Sequence, residues 1–149
     1  MKKLLMALGF ALLAGSAHAA SGQFGDPTDT LNEYVTVLNA DAVAHEVGDI
    51  VVWSDLSTMT VSTTTSANLR NFAGVVAFKD LAANGKGLIQ TFGYHSAISI
   101  GVANSSGDCL GTSTTAEVAG VTTTAGACIA VALEATTSST TVKGLIRGY

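Results

Sequence analysis

FAGVVAFKDLAANGKGLIQTFGYHSAISIGV, residues 72–102, alternates short apolar and β-branched runs with Gly, Asn and Asp breakers. Runs of that length and composition read as strands at Ala73–Phe78, Gly87–Thr91 and Ala97–Val102. Asn84-Gly85 supplies the positive φ that a tight hairpin demands. Apolar residues do not recur at three-and-four spacing over any long window here, so the helical period is missing.

The same texture extends in both directions. Upstream, strands are expected at Tyr34–Leu38, Ile50–Ser54 and Thr58–Ser62; downstream, near Glu117–Val121, Ala127–Glu134 and Thr141–Arg147. Ser106-Gly107-Asp108 is a second breaker cluster. Strands recurring every ~8–15 residues predict an all-β fold, a small β-barrel or β-sandwich. Residues 21–32, with Gly25, Pro27 and several polar side chains, read as an extended N-terminal arm. Phe72-Ala73-Gly74-Val75 before Ala82–Ile89 is echoed by Val118-Ala119-Gly120-Val121 before Ala125–Ile129. Two such units would be equivalent hairpins, although a chain so rich in Ala, Gly and Val produces the same echo by chance.

The first residues, MKKLLMALGFALLAGSAHAA, carry two lysines, an apolar run and small residues ending Ala17-His18-Ala19. That is the three-part pattern of a secretory signal peptide cleaved after Ala19. Its apolar run is shorter than the ~20 residues a bilayer span needs, and nothing later is apolar enough to act as an integral membrane segment. The chain therefore divides into a helical signal-peptide-like leader (1–19), an arm with the first strand (20–47), and a barrel or sandwich domain (48–149).

Only 12% of the 149 residues are charged, and the formal net charge of −4 becomes −6 without Lys2 and Lys3. Globular domains ordinarily carry about twice that fraction of charge. A weakly charged surface associates readily, so the composition points to partners that are copies of itself or a larger protein lattice. Nucleic acid is not an expected partner: Arg70, Lys79, Lys86, Lys143 and Arg147 are scattered, whereas phosphate binding needs clustered cations.

The two cysteines, Cys109 and Cys128, bracket a Thr-rich loop whose single charge is Glu117. In an oxidising compartment they most simply form one disulfide, contributing about 3 kcal/mol for a loop of this length. In a reducing compartment the same residues are two buried thiols. The spacing is not CxxC, and no His or further Cys stands beside them to complete a metal set. His45 and His95 read as surface or internally satisfied histidines, and Asp49, Asp55, Asp80 and Asp108 as turn residues accepting backbone N–H bonds. There is no GxSxG, HExxH, P-loop or EF-hand spacing. No catalytic residue, cofactor site or metal site is expected, and the chain reads as non-enzymatic. Among the aromatics, Phe72, Phe78, Phe92 and Tyr94 read as core. Trp53, Tyr94 and Tyr149 are candidates for an aromatic contact surface, and Phe24, Leu31, Tyr34, Val35 and Val37 for an arm interface.

GDIVVW (48–53), FAGVVAFKDLAANGKGLIQTFG (72–93), SSGDCLGTSTTAEVAG (105–120), AGACIAVALEA (125–135) and VKGLI (142–146) together resemble the small capsid-decoration, or capsid-cement, proteins of tailed bacteriophages. That resemblance implies a small β-barrel on the virion surface, often a trimer, bridging neighbouring shell proteins with its arm over residues 21–36 laid along a neighbour. A leader sits outside the pattern, since a virion assembled in the cytosol has no use for one. Two rivals therefore stand beside the capsid subunit: a secreted or periplasmic self-assembling surface or fibre subunit, and a carbohydrate-binding or adhesive module.

Overall fold

The structure, a computed structural model, describes residues 32–138 and 140–147. The leader, the arm residues Phe24 and Leu31, and Tyr149 lie outside them. Among the described residues nine strands form one continuous sheet: β1 (Glu33–Asn39), β2 (Ile50–Asp55), β3 (Thr60–Ser62), β4 (Phe72–Val76), β5 (Lys86–Ser99), β6 (Cys109–Thr112), β7 (Ala119–Val121), β8 (Ala130–Ala132) and β9 (Thr141–Ile146). The order is β1-β3-β2-β4-β5-β9-β8-β6-β7, and β1 also pairs with β5. That extra pairing closes β1 to β5 into a five-stranded barrel, which satisfies every sheet edge at once.

The remaining strands repeat the scheme. In the first barrel β2 pairs antiparallel with β3 and β4, β4 with β5, and β1 runs parallel to β3. Beyond it, β6 pairs antiparallel with β7 and β8, and β8 with β9. The second half of β5 pairs with β9, and Ile100, the residue just after β5, makes an isolated parallel bridge to Ala119 of β7. The second half of β5 thus takes the part in the second unit that β1 takes in the first. The turns match as well. Asp49 N bonds Glu46 O and Asp108 N bonds Ser105 O, both at 3.1 Å. Asp49 and Asp108 each accept the N–H of the residue three before them at 2.7 Å. Gly48 and Gly107 hold φ of 99° and 91° in these turns, a conformation that favours glycine.

This duplication corrects the sequence reading in several places. The duplication does not follow the sequence echo: by strand order β4 corresponds to β8, whereas Ala119–Val121 of the echoed motif is β7, the counterpart of β3, so the two motifs are not equivalent hairpins. The two strands expected at Gly87–Thr91 and Ala97–Val102 are one 14-residue strand, β5. Its pairing with β1 ends at Phe92 and its pairing with β9 begins at Gly93, whose φ is 100°. A glycine marks the point where the strand leaves one barrel for the other. The sequence reading also omitted β6, because CLGT is only four residues long with a glycine inside it. Finally, β1 is a stave of the first barrel, with Tyr34–Leu38 in continuous register with β5 and Glu33 beyond a bulge.

Two hydrophobic clusters result. Val37, Val51, Val61, Ala73, Val76, Leu81 and Ile89 form the first, with Val35 and Trp53 packed against it. The second joins Ile98, Leu110, Ile129, Val142 and Ile146 of the second barrel to Ile50, Phe72 and Val75 from the first. The barrels therefore share a core at their junction. Val37, 1% exposed, is interior and unavailable as an arm contact.

Candidate functional site

Two places concentrate unusual side chains: the junction between barrels and one outer face of the first barrel. At the junction, His45 is fully buried. Its Nε2 lies 3.0 Å from Asn39 Oδ1 and 3.2 Å from Asp41 Oδ2. Asn39 Nδ2 donates to the carbonyls of Val43 and Ala82, which turns its oxygen towards the imidazole. On the other side His45 Nδ1 is 3.0 Å from Glu117 Oε1. Glu117 reaches across from the β6–β7 loop at φ 69°, and its carbonyl accepts the Ile50 N–H at 2.9 Å.

Asp49 completes the cluster; its ligand-type oxygen lies with those of His45 and Glu117 inside a 4.8 Å set. Its carboxylate accepts from Glu46 N at 2.7 Å and Ser99 Oγ at 3.1 Å. Burial pushes the Asp49 carboxyl above its ordinary value, and these hydrogen bonds oppose the shift. His45, Asp49 and Glu117 are the residue types that hold a divalent cation, yet each is already engaged by neighbouring protein groups. The arrangement acts as a polar bolt between barrels. Gly48 tightens it, donating to Val76 O and accepting from Ser99 N, and a Cβ at Gly48 would run into the Ala97 carbonyl.

His95, in β5, is a second buried imidazole. Ala97 N–H donates to its Nδ1 at 3.2 Å and its Nε2 faces Val76 O at 3.3 Å, so the proton sits on Nε2. Burial lowers its pKa from the usual histidine range.

Cys109 and Cys128 are joined in a disulfide, with Cα atoms 5.4 Å apart. It ties the start of β6 to the segment entering β8 and encloses β7. The oxidised alternative of the sequence reading is the one this fold adopts.

On the first barrel Phe78 and Phe92 depart from the core assignment, while Phe72 keeps it. Phe78 is 73% exposed, and Phe92 and Leu88 are 40% and 42% exposed. Tyr34 stacks on Phe78 with ring centroids 4.8 Å apart, tilted by 40°. With Val47, Gln90 and Tyr94 these two rings line an open groove of about 240 Å³. The groove floor is set by Gln90, whose amide donates to the carbonyls of Phe92 and Tyr94. Of the candidate contact residues, Tyr34 and Tyr94 lie here, Val35 and Trp53 pack against the first cluster, and Val37 lies within it. Sequence reasoning missed Glu117 as a junction residue. Its signal was its isolation, as the sole charge between the two cysteines.

Known proteins sharpen the fold. No protein-family model matches the chain, and no curated protein matches by sequence. Among solved structures it is similar to the N base of the head fibre protein of bacteriophage phi29. That likeness has a TM-score of 0.55 at 16% identity and covers 77% of this chain and 95% of that one. The shared property is the fold. Among the described residues no helix is long and apolar enough to cross a membrane.

Proposed function

We propose that this chain is a non-enzymatic structural subunit of a phage particle, seated on the outside of the capsid and bridging or stabilising its shell. The observation that carries this reading is the likeness, across most of both chains, to a phage head fibre base. The sparse charge, the exposed Tyr34–Phe78 pair and a buried polar cluster whose members are engaged with one another all fit a molecule that works through contacts and not through bond-making. Purified particles, searched for this chain by mass spectrometry and immunogold labelling, test it. Labelling on heads in many copies supports the assignment; absence from particles overturns it.

The leader-like first residues and the Cys109–Cys128 disulfide favour a second reading, an exported self-assembling surface or fibre subunit. Intact mass of the native protein separates the two. A chain beginning at Ala20 and recovered from the periplasm or medium supports export; an intact leader on a particle-bound chain supports the capsid.

A further inference from the structure

We propose that His45, Asp49 and Glu117 form a zinc site that clamps the two barrels together. The inference stands whether or not the chain is a capsid subunit. Asn39 and Asp41 decide the state of the ring. The Asn39 amide nitrogen is committed to the carbonyls of Val43 and Ala82, and its oxygen already accepts the Asp41 N–H at 2.8 Å. His45 Nε2 therefore meets only acceptors, Asn39 Oδ1 at 3.0 Å and Asp41 Oδ2 at 3.2 Å, and must carry a proton. A neutral imidazole has one N–H, so Nδ1 then directs a lone pair at Glu117 Oε1, itself an acceptor, 3.0 Å away. His45 is fully buried, and a buried lone pair facing a carboxylate calls for a cation between them. In the metal-free protein a second ring proton fills that place, and zinc displaces it.

Charge points the same way. Asp41, Asp49 and Glu117 stand around the ring, and among the described residues no Lys or Arg forms an ion pair with any of them. The donor set names the ion: one imidazole nitrogen with two carboxylate oxygens suits zinc, whereas calcium and magnesium prefer oxygen alone. Two ligands about 2.2 Å from one ion stand at most about 4.4 Å apart. The three ligand atoms lie within 4.8 Å of one another, so side-chain adjustment of a few tenths of an ångström suffices. An Nε2–H held by oxygen is the support that orients metal-bound histidines. Glu117, with 34% of its side chain exposed, gives the ion a route in and leaves a fourth position open to water. His45 and Asp49 belong to the β1–β2 connection and Glu117 to the β6–β7 loop, so one ion joins both units.

Calorimetric titration of the metal-stripped full chain with zinc, and X-ray absorption of the loaded protein, test this. One zinc per chain is expected, with a Kd of about 10 µM or tighter. The absorption spectrum should show one imidazole with carboxylate oxygens and no sulfur. Glu117→Gln and Asp49→Asn, which keep a hydrogen-bonding oxygen, should each weaken binding at least about tenfold. Glu134→Gln, on an exposed carboxylate elsewhere, should leave it unchanged, and magnesium should not bind at the same concentration. The proposal is overturned if the stripped wild type takes up no zinc, which would leave the ring to its second proton. It is also overturned if both ligand substitutions leave uptake untouched or if magnesium binds equally well. Should either variant fail to fold, the wild-type stoichiometry and spectrum decide, and a shell that lacks imidazole or contains sulfur sinks the site.

Discussion

His45 Nδ1 stands 3.0 Å from Glu117 Oε1, and the two residues belong to different barrels. Removing the carboxylate leaves a buried ring nitrogen facing no acceptor. An unsatisfied buried polar group costs about 1–3 kcal/mol. Glu117→Ala should lose stability in that range in denaturant melts, while Glu46→Ala, on an exposed neighbour of the same histidine, should change it by less than about 0.5 kcal/mol.

His95 makes stability depend on pH from the acid side. Its folded pKa lies below the unfolded value of 6.5 because burial disfavours the charged ring. Between those two values the unfolded chain binds the extra proton. Stability is complete above pH 6.5 and falls as the pH drops towards the folded pKa, at no more than about 1.4 kcal/mol per pH unit. His95→Gln should flatten this limb, measured as the denaturation midpoint across pH 5 to 7.

Asp49 acts with the opposite sign. Its carboxyl is raised above 3.8, chiefly by desolvation, so the native state holds the proton more tightly than the unfolded chain. Its contribution is present below that value and is lost as pH rises through the folded pKa. In Asp49→Asn the side-chain oxygen can still accept from Glu46 N. The variant should stay within about 1 kcal/mol of wild type at neutral pH and lose the limb just above pH 3.8.

The disulfide predicts non-additivity. Cys109→Ser and Cys128→Ser should each cost about 3 kcal/mol, and the double variant no more than either alone, since a single cross-link is lost in every case. Calorimetric melts of all three report it; additive losses would mean that the thiols act separately.

Much of the architecture was legible in the residues. Short β-branched runs with Gly and Asn breakers give β1, β2, β3, β4, β7, β8 and β9 within a few positions, because pleated strands and tight turns leave local chemical marks. What escaped depends on distant pairing. Nothing local in Gly87–Val102 distinguishes two strands from one, as both halves are apolar and only their partners differ. The short β6 is held by its neighbours on either side and not by its own propensity. Phe78 and Phe92 look like core residues in the sequence, since hydrophobicity alone does not say which side of a barrel wall a side chain faces. Glu117 reaches His45 across 72 positions, a distance that periodicity cannot see.

β5 has a mechanical consequence. Because one unbroken backbone serves as a wall of both barrels, a tug applied to either unit travels through covalent bonds into the other before any side-chain contact between them has to yield. Two units linked in this way resist being drawn apart even if their polar bolt is undone, and Gly93 becomes the joint about which they would swivel.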